Sequence, residues 1–303
     1  MSTARLSLVI PTRDRPRALA ACLAAVAESF PAQAETVVVD DGGAADLAPV
    51  VAPYLGTLAL RLVRVEHGGP AWARNRGLDA ATGGVVAFTD DDCRPQPGWL
   101  PALAAGVAAD PPRAVGGSTH NGLPGNAYAD AAQLVLELLS VHDRAKSGQE
   151  RLLASNNIAF PAAPLRRLGG FDESFRTAED RELCRRWRRA GFTLGRVPGA
   201  VVHHDAQLDL RRFVGQFVAY GRGAARFHAG GAGRSLRESI GFHLRLPAMA
   251  LPGLARRGVR RGLAVGFLLA LWELTNLAGF LAEASRRSRR VGVTGPAIGQ
   301  GAQ

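Results

Sequence analysis

Three consecutive carboxylates, Asp90, Asp91 and Asp92, close the apolar run Val85-Val86-Ala87-Phe88. Like charges this close repel one another. A hard divalent cation relieves the repulsion, and Mg²⁺ or Mn²⁺ takes oxygen ligands while keeping positions open for substrate phosphates. A cation held there would neutralise a diphosphate leaving group as its bond breaks. A solvated turn that caps the next helix near Pro97 is the plainer use of the same triplet. On the metal reading, Asp92 and one of Asp90 or Asp91 form the ligand and sugar-contact pair, with the register left open.

Other chemistry-bearing residues recur at similar places. Thr12-Arg13-Asp14 follows a short apolar run that ends at Pro11. Asp40 and Asp41 follow another, where a carboxylate suits a nucleobase or ribose hydroxyl, although Asp-Asp-Gly-Gly is also ordinary turn chemistry. Gly68-Gly69-Pro70, with Arg74 and Asn75 beyond, is a glycine-rich loop opening a helix, a pattern that suits phosphate and also a simple strand-to-helix turn. Glu179-Asp180 opens a charged helix. Acidic residues are favoured in a first turn by the helix dipole, and one positioned Asp is also enough to take a proton from an attacking hydroxyl. His203 and His204 end a late strand, where a neutral imidazole completes a carboxylate metal site or simply packs.

The elements that position these residues follow from periodicity. Leu6–Ile10, Thr36–Val39, Leu60–Val65 and Val85–Phe88 read as buried strands. Helices are expected over Pro16–Phe30 and Pro70–Ala81. This alternation predicts a mainly parallel, doubly wound sheet whose ligands sit outside the carboxyl ends of the strands, where the polar clusters fall. Further on, strands are expected at 114–119, 156–160 and 194–203, and helices at 127–142 and 179–190.

Length and composition, 303 residues with 47% hydrophobic and 21% charged, allow a large core and exclude wholesale disorder. Residues 205–303 carry 15 basic and 5 acidic side chains, nearly all of the net +11. The expected division is a catalytic domain at 1–230 and a basic, apolar helical tail at 231–303. Leu263–Ala284 is about long enough to span a bilayer, but Glu273 and Asn276 lie inside it, and arginines flank both ends. A helix lying at an anionic membrane surface is favoured over a span or a packed soluble helix. No nucleic-acid motif accompanies the charge, so nucleic acid is not expected as a partner. Cys22, Cys93 and Cys184 form neither a disulfide framework nor a zinc pattern. With no signal-peptide run at the start, the expected location is the cytoplasmic face of the membrane.

Taken in order, Val9-Ile10-Pro11-Thr12-Arg13-Asp14-Arg15, Val37-Val38-Val39-Asp40-Asp41-Gly42, Ala73-Arg74-Asn75-Arg76-Gly77, Phe88-Thr89-Asp90-Asp91-Asp92, Gly169-Gly170-Phe171-Asp172-Glu173 and Glu179-Asp180 resemble family 2 of the glycosyltransferases. The resemblance covers roughly residues 5–230. It implies a glycosyltransferase-A fold, inversion by direct displacement, and Mg²⁺ or Mn²⁺ bridging the diphosphate of a nucleotide-sugar donor. By position, Pro11, Thr12 and Asp14 would line the nucleotide pocket, Asp40 would hold the base, and Arg74 would sit near the diphosphate. Asp90 and Asp92 match an Asp-x-Asp pair, with Asp92 on the metal and Asp91 competing with Asp90 for the second place. Asp180 matches a catalytic base with Glu179 beside it, and His203 or His204 a metal-bound His. Leu183 stands where processive relatives carry Gln in a Gln-x-x-Arg-Trp motif, so transfer of single sugars is expected. The acceptor would be a glycan, a lipid-linked species or a small molecule, in cell-envelope or other glycan synthesis. Alternatives are a nucleotidyltransferase, which would release pyrophosphate, and an inactive membrane-bound binding protein of the same fold.

Overall fold

The structure is a computed structural model that describes residues 5–28, 31, 34–147, 150–230 and 236–293. The last residues of the first expected helix, and the tail at 231–235 and 294–303, lie outside the described residues.

In chain order the strands are β1 (Leu6–Thr12), β2 (Ala34–Asp41), β3 (Leu60–Val65), β4 (Val85–Thr89), β5 (Cys93–Pro95), β6 (Ala108–Ala109), β7 (Pro112–Asn121), β8 (Asn157–Pro161) and β9 (Thr193–His204). The helices are α1 (Pro16–Ala27), α2 (Ala48–Val51), α3 (Pro70–Ala80), α4 (Trp99–Gly106), α5 (Ala127–Ser147), α6 (Ala162–Arg167), α7 (Glu179–Arg189), α8 (Leu210–Ala229), α9 (Leu236–Ala255) and α10 (Val259–Val293).

Apolar residues on alternate sides of each central strand feed two cores. Leu8 and Ile10 of β1, with Val38 and Ala87, meet Leu19, Cys22, Leu23 and Val26 of α1 on one face of the sheet. Those α1 residues recur at the spacing of one helical face. Val9, Val37, Val39, Val86 and Phe88 point the other way, onto Leu78 of α3, Leu165 of α6 and Leu183 and Trp187 of α7. Burial on both faces explains why the strands read as unbroken apolar runs.

The strand order is β3-β2-β1-β4-β8-β7-β9-β5, with β6 on β7. The expectation of a mainly parallel sheet is corrected here, because the sheet is mixed. The pairs of β1 with β2, β1 with β4, β2 with β3, and β7 with β9 are parallel. β4 with β8, β5 with β9, β6 with β7, and β7 with β8 are antiparallel. Crossover helices separate the four strands of the first half. From β5 onward the connections are more varied, and short ones such as β6 to β7 permit antiparallel neighbours.

A third core is purely helical. It joins Leu134 and Leu138 of α5, Phe213 and Phe217 of α8, Phe242 and Leu246 of α9, and Val265, Leu268 and Trp272 of α10. Residues on both sides of position 230 share this core.

Candidate active site

β1 lies beside β4 in parallel, so the loops after both strands open at the same edge. Thr12 Oγ1 there donates to Asp91 Oδ2 at 2.6 Å. A cleft of about 1050 Å³ runs along this edge. Its walls include Pro11, Thr12, Asp14, Arg15, Asp41, His67, Arg74, Asp90, Asp91, Asp92 and His204. Arg212, Gln216 and Tyr220 of α8 line its far side.

The three carboxylates occupy distinct settings. Asp90 Oδ1 accepts from Arg74 at 2.6 Å. Asp91 is buried and meets Arg15 at 3.0 Å. Burial raises its pKa to about 7, against the opposing pull of Arg15. Asp92 faces Arg15 at 2.5 Å and His204 Nε2 at 3.4 Å. Burial opposes its ionisation, but His204 and Arg15 outweigh that and hold the carboxyl well below the usual range. For His204, burial acts against protonation, yet Asp92 raises its pKa above the ordinary imidazole value.

The ladder between β5 and β9 sets Cys93 opposite His204 and so brings the imidazole to Asp92. Asp205 N–H donates to Asp92 O at 2.7 Å and fastens the junction. Donor atoms of Asp92, Cys93 and His204 lie within 4.8 Å of one another. A divalent cation fits the oxygen and imidazole donors of Asp92 and His204. The Cys93 thiol is a poorer ligand for a hard cation, and burial pushes its pKa well up. Of the two histidines, His204 is the one whose ring nitrogen lies among these donor atoms. His203 points to the opposite side of β9, where its Nε2 lies 2.8 Å from Gln96.

Of the acidic pair that closes β2, Asp41 lines the cleft and Asp40 is not among its lining residues. Asp40 accepts from Gly43 N–H at 3.0 Å and meets Arg64 at 3.5 Å, so its carboxylate braces a turn. The strand alternation sends the two neighbours to opposite faces. Asp41 accepts from Gly68 N–H and from His67 Nδ1, both at 2.8 Å. Asp14 stands at φ 52° and accepts from Ala44 and Ala45 N–H, tying the β1 loop to the β2 loop.

Arg74 is buried beneath the cleft. It joins Asp90 to Glu179, with Nη1 2.8 Å from Glu179 Oε1. Burial opposes the charge on Arg74, but the two carboxylates raise its pKa well above the free value. Burial raises the Glu179 pKa, and Arg74 counters it. Its neighbour Asn75 exchanges hydrogen bonds with Phe171 N–H and O, both at 2.8 Å. The Arg74-Asn75 and Gly169–Glu173 motifs therefore hold each other. Asp180 accepts from Arg181 N–H at 2.7 Å and Ser155 N–H at 3.4 Å. Asp180 lies within electrostatic reach of Arg74 and Tyr220, which both line the cleft.

The roles of Arg15, Cys93 and Tyr220 go beyond what the sequence singled out. Arg15 stood inside a quoted motif, but its partners depend on the adjacency of β1 and β4.

The sheet, the cleft at its strand ends and the carboxylate–imidazole pair define a glycosyltransferase-A type of fold. A solved mannosyltransferase from Pyrobaculum calidifontis, in complex with GDP-Man and Mn²⁺, matches with TM-score 0.63 and 21% identity, covering 95% of this chain and 88% of that one. A solved GalNAc-T7 with UDP, GalNAc and Mn²⁺ matches with TM-score 0.55 and 15% identity, over 81% of this chain and 55% of that one. Residues 7–163 match the model for glycosyl transferase family 2, and the chain belongs to that family. The pre-mycofactocin glycosyltransferase of Mycobacterium tuberculosis is 33% identical over 202 residues, 62% of this chain and 41% of that protein. Glycosyltransferase AglE of Haloferax volcanii is 23% identical over 206 residues, 67% of each. The chain thus spans about four tenths of the mycobacterial relative.

Proposed function

We propose that this protein moves a single sugar from a nucleotide-diphosphate donor to an acceptor hydroxyl with inversion. The observation that carries the reading is the pairing of Asp92 with His204 at the strand edge of a cleft large enough for a nucleotide sugar. Asp92 and His204 would hold Mg²⁺ or Mn²⁺, which supplies positive charge to the departing diphosphate. The nucleotide would lie toward Thr12, Asp41 and His67.

Asp180 is the general base of this reading. It would take the acceptor proton as the hydroxyl oxygen bonds to the anomeric carbon and the carbon–phosphate-oxygen bond breaks, its electron pair passing to the diphosphate. Two backbone N–H donors orient the Asp180 carboxylate, and Arg74-Glu179 fixes the start of α7. Single transfer is supported at Leu183, which is fully buried among apolar neighbours, and at Trp187, whose Nε1 donates to Thr193 O at 2.9 Å. Both side chains serve the core.

The test is product identification with a panel of nucleotide sugars and Mn²⁺. Release of a nucleoside diphosphate with a glycosylated acceptor supports the reading. Pyrophosphate release marks a nucleotidyltransferase, and no turnover with any donor marks an inactive binding protein. Asp180→Asn is expected to keep donor binding and lower kcat by about 10²–10⁴-fold, the usual contribution of a general base. An unimpaired Asp180→Asn enzyme rejects the base assignment.

An anionic membrane surface is the proposed partner of the tail, on the cytoplasmic face, with a glycan, lipid-linked or small-molecule acceptor. The support is the excess of arginine beyond residue 205 together with the apolar exposed stripe of α10.

A further inference from the structure

Arg15 sits at an unusual place for a cation. It is the N-cap of α1, where no side chain caps the helix and Pro16 follows. The positive end of a helix dipole disfavours a guanidinium there. Two carboxylates reverse that preference, with Asp91 at 3.0 Å and Asp92 at 2.5 Å from the same Nη2. Burial works against the Arg15 charge, yet these acids raise its pKa above the free value. Its guanidinium therefore lies against the carboxylate that pairs with His204, the position assigned above to a divalent cation. The side chain is also 47% exposed toward the cleft, so it has room to leave.

We propose that Arg15 is the built-in counter-ion of the cation site and a ligand of the donor's diphosphate in turn. It neutralises Asp91 and Asp92, which share its Nη2. When a divalent cation takes Asp92, Arg15 is repelled into the cleft, whose lining includes Arg17 and Ala18 of the first turn of α1. A diphosphate placed there meets the planar guanidinium and the positive end of α1 together. The site so resists cations without a nucleotide and favours the two together. Such an arrangement is a coupling between two ligands, and it is reciprocal.

This inference rests on the metal reading of Asp92, and the experiment separates the two. Binding of Mn²⁺ alone to the full chain is measured by calorimetry for the wild type, Arg15→Gln, Arg15→Ala and Asp92→Asn. Binding of UDP and of GDP is then measured at saturating Mn²⁺. Both Arg15 variants are expected to bind Mn²⁺ alone about three- to tenfold tighter, because a competing charge-assisted pair is gone. Both are expected to bind the preferred diphosphate about tenfold more weakly. Asp92→Asn is expected to lose the Mn²⁺ site. If Arg15 variants bind Mn²⁺ like the wild type while Asp92→Asn does not, the counter-ion role is overturned and the metal site stands. If their diphosphate affinity is unchanged, the hand-over is overturned. If Asp92→Asn binds Mn²⁺ like the wild type, the metal assignment itself falls. Arg15→Gln keeps most of the side-chain length, so a folding defect in Arg15→Ala does not block the measurement.

Discussion

Arg74 shows how one side chain links two parts of the site. It is buried, and its two hydrogen bonds join the strand-end Asp90 to Glu179 at the start of α7. Removing it strands two carboxylates in a poorly solvated place, and breaking a buried ion pair costs about 3–5 kcal/mol. Arg74→Ala is therefore expected to lower unfolding free energy by that order in urea titrations. Glu179→Gln should relieve part of the loss when combined with it, since contacting residues are coupled. Strictly additive losses would reject the link. Away from the cleft, Glu35 gives a pH signature. Burial pushes its pKa up, but Ser7, Thr82 and Arg61 prevail and hold it below the ordinary value. A depressed folded-state pKa adds stability above the unfolded value near 4.5, and that stability is lost as pH falls through the folded value. Glu35→Gln should thus cost stability at pH 7, with the gap from the wild type narrowing below about pH 4.5. Thermal melts across pH 3–8 check this, and a gap that does not vary with pH contradicts it.

At the scale of elements, α8 is the pivot, because its surfaces do different work. Gln216 and Tyr220 face the cleft, Phe213 and Phe217 enter the helical core, and Gly221 meets α10. The α8–α10 crossing is close because glycines stand at it. A Cβ at Gly279 would lie 2.1 Å from Val218 O, and one at Gly221 2.0 Å from Asn276 O. Gly279→Ala must push the helices apart, at a cost of about 1–3 kcal/mol for overpacking. Displacement of α8 should also raise KM through Gln216 and Tyr220. Gly215→Ala is the matched control, since its Cβ meets nothing within 4 Å and the substitution should stabilise α8 by up to ~1 kcal/mol. Equal effects of the two on stability would contradict the close crossing. The crossing also marks where the sequence stopped being legible. The early strands and helices were readable because each buries one period of apolar residues, as in Leu8, Ile10 and Val9. The positions of Thr12, Asp14 and the acidic triplet at strand ends followed from the same pattern. The reversal of β8 beside β4 did not, because an apolar run carries no strand direction. Asp40 and Asp41 were separable only by strand face. His204 was separable from His203 only once the three-residue strand β5 fixed the register. Gly221 and Gly279 carry no sequence signal of their role, because the contact they permit exists only where the two helices meet.

The whole molecule has a polarity that joins charge to shape. α10 is the one described helix long and apolar enough to cross a membrane, with mean hydropathy 1.6 over its most apolar window. One face of it is already committed. Val265, Leu268, Leu269 and Trp272 lie in the helical core, Glu283 pairs with Arg226 at 2.7 Å, and Glu273 bonds His243 at 2.6 Å. A crossing helix would have to leave these contacts and carry Glu273 into hydrocarbon. The opposite face exposes Leu263 (72%), Phe267 (70%), Leu274 (67%), Leu277 (54%) and Leu281 (55%), a stripe at helical spacing roughly 27 Å long. Exposed Arg256 and Arg260 stand at one end and Arg286, Arg287 and Arg289 at the other. An apolar stripe with basic ends suits a helix lying in the plane of an anionic bilayer. Deleting the tail would open the helical core, so surface substitutions are the better probe. Leu263→Glu, Phe267→Glu and Leu274→Glu combined should abolish co-sedimentation with vesicles containing phosphatidylglycerol while leaving the thermal midpoint nearly unchanged. Wild-type binding should weaken in high salt, as attraction between exposed charges is screened. It should also release fully on carbonate washing, as a helix that does not span must. Retention after the wash would establish a span. Concentration-dependent self-association of the wild type without vesicle binding, lost in the triple variant, would assign the stripe to a second copy of the chain.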